Sequence, residues 1–131
     1  SGMTRATTRS HFLRAALESI AYQVNDLVQA MVKQANVTLK EMRVDGGPTK
    51  NNFLMQLQAD CLRVPINCSD VEEASALGAV VMAGLSQGIW ADFNEVQQLR
   101  KSKWTKTPQD NHLQITRWVN GWHKAIEQMM K

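Results

Sequence analysis

A short apolar strand and a helix meet at the segment Asp45-Gly46-Gly47-Pro48-Thr49-Lys50-Asn51. Paired glycines permit positive φ and let a ligand approach the backbone, and the proline after them prevents the strand from continuing. A helix that starts at such a turn presents free N–H groups and a partial positive charge, which suit a phosphate or a ribose. Asp-Gly-Gly is also common in ordinary tight turns, so this segment alone leaves both interpretations open.

The elements around this turn follow from hydrophobic periodicity. We predict a long helix over residues 8–36, a strand over Met42–Val44 and a second helix over residues 49–62. Along the first helix, apolar residues recur at steps of three and four, which is typical of a single apolar stripe. The stripe consists of Leu13, Leu17, Ile20, Val24, Leu27, Val28 and Met31. Because the opposite face is polar, we expect this helix to lie on the surface of a larger body.

Downstream of these elements the periodic signal is weaker. We predict a second short strand over residues 64–66 and a helix rich in small residues around Gly78. Ser69 and Glu72 have capping-box spacing before that helix. Residues 91–108 are irregular and charged, and a last helix covers residues 109–130. Two short strands do not form a stable sheet alone, so either residues outside this chain complete the sheet or the chain is a loose fragment.

The composition is that of one globular domain. The chain has 131 residues, of which 44% are hydrophobic and 21% charged. No apolar run approaches the roughly 20 residues that a membrane-spanning helix needs. Cys61 and Cys68 lack CxxC spacing, which favours buried thiols over a disulfide or a metal site and indicates a reducing, cytoplasmic compartment.

The charge pattern gives little indication of a macromolecular partner. The formal charge is +3, and part of the excess comes from a basic cluster. That cluster consists of Arg100, Lys101, Lys103 and Lys106. Since no interleaved aromatic residues accompany it, a solvated connector is favoured over a nucleic-acid contact. His112 and His123 share one predicted helix without an evident third ligand, so we predict no metal site.

Several further motifs accompany the glycine turn in a fixed order. They read Gly2-Met3-Thr4-Arg5, His11-Phe12, Ala15-Ala16-Leu17-Glu18, Asn51-Asn52-Phe53-Leu54-Met55-Gln56, Ala59-Asp60, Glu72-Glu73-Ala74 and Ala76-Leu77-Gly78-Ala79. Their order and spacing over about two thirds of the chain resemble the C-terminal domain of the FGGY family of carbohydrate kinases, and the glycerol kinase-like members above all.

The resemblance implies an α/β fold, as a helix-rich fragment of an actin-like ATPase (ribonuclease H-like) domain with a few short strands. Residues 1–131 would form part of the C-terminal nucleotide-binding domain of a two-domain sugar kinase. That kinase would use ATP and Mg²⁺ to phosphorylate a polyol or sugar held mainly by its N-terminal domain, and would be a cytoplasmic homo-oligomer without nucleic-acid or membrane partners.

The resemblance also implies roles for individual residues. Gly47 would lie against ATP or ADP, Gly46 would let the loop pass close by, and Asn51 would contact the sugar or base side of the nucleotide. The helix around Gly78 would pack behind the loop. Pro48 lacks the N–H that many relatives offer there. Since the family's catalytic aspartate lies upstream of this chain, we assign no catalytic residue. The alternative is a non-catalytic nucleotide-binding or interaction module.

Overall fold

In a computed structural model of the chain, residues 2–70, 74–99 and 101–130 are described. In chain order the elements are α1 (Arg9–Ala35), β1 (Met42–Val44), a 3₁₀ helix (Gly47–Lys50), α2 (Asn52–Leu62), β2 (Ile66–Ser69), α3 (Ala74–Ser86), α4 (Phe93–Leu99), β3 (Ser102–Lys106) and α5 (His112–Met129). None of the helices within the described ranges has the length and apolarity needed to traverse a lipid bilayer. The capping residue predicted at Glu72 lies outside these ranges.

The sheet has three strands, with β2 in the centre. β1 pairs with β2 in parallel, so that Val44 lies opposite Cys68, and β3 pairs with β2 antiparallel. β2 begins at Ile66 and not at residue 64 as predicted. The reason is Pro65, which has no N–H and contributes only its carbonyl, the acceptor of the Met42 N–H at 2.9 Å.

The segment 91–108, predicted to be irregular, contains α4 and β3. That prediction was wrong because β3 gives a weak strand signal. Its one apolar residue, Trp104, is half-buried opposite Cys68, while Lys103 is exposed. Lysine is depleted in strands, and the pairing with β2 outweighs that preference. Of the basic cluster, Arg100 lies outside the described residues and Lys101 is exposed.

The core lies where α1, α2 and α5 meet. Its buried members are Ala21, Tyr22, Leu54, Met55, Leu57, Cys61 and Ile115, with Trp104, Trp118, Val119 and Trp122 partly buried around them. The rings of Tyr22 and Trp122 lie 5.7 Å apart between centroids, at 38°. Such tilted aromatic pairs add to the free energy gained from burial. The two neighbouring tryptophans of α5 therefore serve as packing anchors, as their helical spacing indicates.

The ends of α1 agree with the prediction, but its buried face does not. His11 Nδ1 accepts the backbone N–H of Thr8 at 3.0 Å at one end, and Asn36 ends the helix in the left-handed region. The fully buried residues of α1 are Ala21, Tyr22 and Asn25. Four members of the predicted apolar stripe are exposed instead, namely Leu13, Ile20, Leu27 and Met31. The helix thus packs through a face adjacent to its most apolar one.

Two aspartates tie α5 to the rest of the chain. Asp26 of α1 accepts the Trp122 indole N–H at 2.8 Å and lies 2.8 Å from His123 Nε2. Asp60 of α2 is 4% exposed and accepts the Gln109 backbone N–H and the Asn111 side-chain amide, both at 2.8 Å. Asp60 therefore fixes the segment that leads into α5.

The small residues of α3 do not form the predicted contact behind the glycine loop. Gly78 is exposed, and no heavy atom of the described residues, apart from its own helix backbone, lies within 4 Å of a β-carbon added there. Gly84 differs, because an added β-carbon would overlap the Trp90 ring. The close contact at Gly84 has no counterpart at Gly78 among the described residues, and the prediction for Gly78 was wrong.

Candidate functional site

The turn between β1 and α2 requires glycine at its first position. Gly46 has φ 84° and ψ −177°, a region that residues with a β-carbon rarely adopt. Gly47 follows it and begins the 3₁₀ helix, with Pro48 in the first turn. Proline fits there because the first N–H groups of a helix have no internal partner. The chain thus leaves β1 at Val44 and enters the 3₁₀ helix at Gly47, within three residues.

Internal hydrogen bonds hold the turn in shape. The carbonyl of Gly46 accepts the Thr49 backbone N–H at 3.2 Å and the Thr49 hydroxyl at 2.7 Å. The carbonyl of Pro48 accepts the Asn51 N–H at 3.0 Å. These bonds turn two carbonyl oxygens inward, so they do not repel an anion outside the turn. The sequence indicated no role for Thr49, although a hydroxyl three residues after a turn glycine is a recognisable local pattern.

Asn51 separates the 3₁₀ helix from α2. Its backbone is extended, and its side-chain Oδ1 accepts the Leu54 N–H at 3.1 Å, which makes it the N-cap of α2. The predicted single helix from residue 49 is therefore two helices, since an N-cap residue does not have helical dihedral angles. With Oδ1 committed to the cap, the side-chain NH₂ is the group that Asn51 can offer to a ligand.

The outer side of the turn is open. Gly46 and Gly47 are exposed, and within the described ranges no heavy atom apart from chain neighbours lies within 4 Å of a β-carbon added at either glycine. The inner side is anchored, because Leu54 and Met55 of the following α2 are buried in the core. The structure thus brings Gly46, Gly47 and Asn51 together in one internally hydrogen-bonded, accessible turn.

The side chains of Cys61 and Tyr22 are uncharged at neutral pH. Burial raises the pKa of the Cys61 thiol to about 12, and the carboxylate of Asp60 adds to the increase. Burial likewise raises the pKa of the Tyr22 hydroxyl to about 12. A nucleophilic cysteine needs a lowered pKa, so Cys61 is a structural thiol. Cys61 and Cys68 are both free and buried, as their spacing predicted.

Comparison with known families identifies the chain. The family model described as "FGGY family of carbohydrate kinases, C-terminal domain" matches residues 1–86. The chain belongs to this family. Among curated FGGY relatives, the glycerol kinase of Bacillus subtilis (strain 168) is 43% identical over 98% of the chain, and that of Pasteurella multocida (strain Pm70) is 42% identical over 99%. The chain spans 26% of the length of each of these two relatives.

Solved structures of FGGY kinases share the fold. The glycerol kinase of Plasmodium falciparum, described with ADP, matches 98% of the chain and 26% of its own chain with a TM-score of 0.87 and 36% identity. The xylulose kinase of Lactobacillus acidophilus matches 98% of the chain and 26% of its own with a TM-score of 0.82 at 22% identity, which bears on the fold alone. The predicted FGGY resemblance and α/β actin-like fold are confirmed.

Proposed function

We propose that this chain supplies part of the nucleotide site of an ATP-dependent kinase that phosphorylates a hydroxyl group of a polyol or sugar. The observation that carries this proposal is the turn at Gly46 and Gly47, which is hydrogen-bonded internally and open outward, directly before the N-terminus of α2. Backbone without side chains at a helix N-terminus is suited to a phosphorylated ligand.

Each residue of the turn has a separate role in this proposal. Gly46 provides the positive φ that directs the backbone past the ligand, and Gly47 provides contact without a side chain. Asn51 donates its NH₂ to an acceptor on the nucleotide while Oδ1 caps α2. ATP, when bound with Mg²⁺, supplies the phosphoryl group. The catalytic base, the Mg²⁺ ligands and most of the sugar site belong to parts of the kinase outside these residues.

Glycerol is the proposed acceptor. Support comes from the curated relatives at 42–44% identity, which are glycerol kinases, and from the glycerol kinase structure at 36%. The xylulose kinase structures are 20–22% identical. The predicted homo-oligomer and cytoplasmic location remain predictions.

The test is calorimetric binding of ADP and ATP with Mg²⁺ to the full-length protein. Gly47→Val should abolish binding, because the added side chain enters the space assigned to the nucleotide without overlapping the described residues around the turn. Gly121→Val on α5 is the matched control, since that position is also open to an added β-carbon within the described chain.

Unchanged affinity in Gly47→Val would exclude the turn as the nucleotide site. A glycerol-dependent assay of ADP release then separates the two functions. Nucleotide binding without phosphorylation of any polyol or sugar would favour the non-catalytic module, while phosphorylation that is lost in Gly47→Val and retained in Gly121→Val would establish the kinase.

A further inference from the structure

A cation and two aromatic rings meet beside the first turn of α2. The guanidinium carbon of Arg14, on α1, lies 5.1 Å from the centre of the Phe53 ring and 5.9 Å from that of Trp118, on α5. Both distances fall within the roughly 6 Å over which a cation is attracted to an aromatic face. Arg14 therefore joins α1 to α5 and to the start of α2, where Phe53 is two residues after Asn51.

The guanidinium of Arg14 is oriented by its own helix. Its Nε donates to Glu18 Oε1 at 2.7 Å, one turn further along α1. The side chain of Arg14 is 55% exposed and that of Glu18 is 23% exposed, so the ion pair contributes little free energy by itself. Its consequence is geometric, because a planar guanidinium with one N–H fixed has fewer orientations beside the Phe53 ring.

The first turn of α2 is held from two sides. Leu54 and Met55 are buried in the core, whereas Phe53 is 38% exposed and lies against the Arg14 guanidinium. Asn51 caps the same turn, since its Oδ1 accepts the Leu54 N–H and its carbonyl accepts the Met55 N–H, both at 3.1 Å. Because helix ends fray, a contact that holds Phe53 keeps this turn formed and keeps the cap in place.

We infer that Arg14 is a positioning residue for the nucleotide and that it acts through Phe53 and Asn51. When the first turn is formed, Oδ1 of Asn51 is committed to the Leu54 N–H, and the planar amide then fixes the direction of the NH₂ group. When the turn opens, the amide rotates, and only a fraction of the molecules present the NH₂ to the ligand. The apparent affinity falls in proportion to that fraction. The inference rests on the proposed function, because it takes Asn51 as a nucleotide contact.

The experiment is a double-mutant cycle on Arg14 and Phe53, with ADP binding to the full-length protein in the presence of Mg²⁺ measured by calorimetry. Arg14→Gln removes the charge and keeps a good helix former, and Phe53→Leu removes the ring and keeps an apolar side chain. Each variant should weaken ADP binding about two- to fivefold, the range that an exposed cation–aromatic contact supports. The double variant should be no weaker than the weaker single variant, because both changes remove one contact.

The matched control is Arg9→Gln, which removes an exposed charge from the same helix and should leave ADP affinity unchanged. Adenosine then separates positioning from a direct phosphate contact. Since the family resemblance assigns Asn51 to the sugar or base side of the nucleotide, Arg14→Gln should weaken adenosine and ADP binding by the same factor. A guanidinium that contacted phosphate would affect ADP alone.

A second background separates positioning from overall stability. Asn51→Ser keeps an uncharged cap for α2 and removes the NH₂ group. In this background Arg14→Gln should have no further effect on ADP affinity, whereas an effect through overall stability would persist.

Unchanged ADP affinity in Arg14→Gln would overturn the inference, as would a loss confined to ADP or a loss of the same size in the Asn51→Ser background. The proposed nucleotide site fails on a different result, namely unchanged ADP affinity in Gly47→Val. Loss of binding in Gly47→Val together with full affinity in Arg14→Gln would leave the nucleotide site standing and remove only the role of Arg14.

Discussion

At the scale of single residues, Asn51 combines two roles in one amide group. Its Oδ1 caps α2, and its NH₂ is the part assigned to the nucleotide. Aspartate caps a helix as well as asparagine does but lacks the NH₂ donor and adds a negative charge. The two roles are therefore separable by substitution.

Asn51→Asp should leave the free energy of unfolding within a few tenths of a kcal/mol and weaken ADP binding by about tenfold or more. Asn51→Ala should lower the free energy of unfolding by about 1 kcal/mol and weaken binding as well. Urea unfolding and calorimetry measure the two quantities. Full ADP affinity in Asn51→Asp would show that the NH₂ group does not contact the nucleotide.

Asp60 is a second residue whose role depends on the hydrogen bonds that its side chain accepts. It is buried, and its carboxylate accepts from the Gln56 side chain, the Gln109 backbone and the Asn111 side chain. Asp60→Ala should lower the free energy of unfolding by about 3 kcal/mol, because buried donors lose a charged acceptor. The exposed Asp110 is the matched control, and Asp110→Ala should stay within about 0.5 kcal/mol. Similar urea midpoints for both variants would contradict the role assigned to Asp60.

At the scale of elements, α3 contains two glycines in opposite environments. Alanine is a better helix former than glycine by about 1 kcal/mol, so Gly78→Ala in its open position should stabilise the protein by up to that amount. Gly84→Ala should destabilise it, since the new methyl group overlaps the Trp90 ring. Thermal unfolding of the two variants should therefore shift in opposite directions. A higher melting temperature in both variants would mean that the Trp90 ring moves aside at little cost in free energy.

Helices and strands were predictable from the sequence where their ends depend on residues that are close in sequence. The long helix α1 follows from its periodicity, and β1 ends just before the glycine turn at Gly46. The break at Asn51 was missed, because Thr49, Asn51 and Asn52 are all residue types that favour the N-cap, and the sequence does not say which of them begins the helix. β3 was missed because its stability comes from pairing with β2, and the sequence of residues 102–106 alone does not indicate that pairing.

For the candidate site, too, local features were predictable from the sequence and long-range contacts were not. The roles of Gly46, Gly47 and Asn51 follow from the family resemblance and stay predictions, although the turn that holds them is built within seven residues of sequence. The contacts of Asp60 were not predictable, because they join α2 to Gln109 and Asn111, which are distant in sequence. The role of Gly78 was misjudged for the same reason.

At the scale of the whole molecule, buried titratable groups set an alkaline limit to stability. The pKa of Cys61 rises from 9.0 and that of Tyr22 from 10.0, each to about 12. In both cases folding favours the neutral form, so the stabilisation is complete below the unfolded pKa. It is lost as the pH rises from about 9 towards about 12.

The free energy of unfolding should therefore fall steadily above about pH 9, as measured by urea unfolding at a series of pH values. Tyr22→Phe keeps the aromatic ring and removes one titrating group, so its stability should fall less steeply than that of the natural protein. Parallel curves for the two proteins would show that Tyr22 ionises equally in the folded and unfolded states.

The largest difference from the predicted packing also belongs to the whole molecule. Four of the seven residues in the apolar stripe of α1 are exposed, although an amphipathic helix usually buries its most apolar face. The periodicity of apolar residues identifies the stripe, but it does not specify which other segment packs against it. The curated FGGY relatives are about four times as long as this chain, so these 131 residues correspond to about a quarter of their length.

The contacts of Asp26 with Trp122 and His123 join residues that are 96 and 97 positions apart. During synthesis at about 5–20 residues per second, roughly 5–20 seconds pass between the addition of Asp26 and that of its partners. Throughout that interval α1 lacks the helix that covers Tyr22. The nascent chain therefore exposes an unfinished core until translation of these 131 residues is nearly complete, and transiently exposed apolar surface of this kind is prone to aggregation.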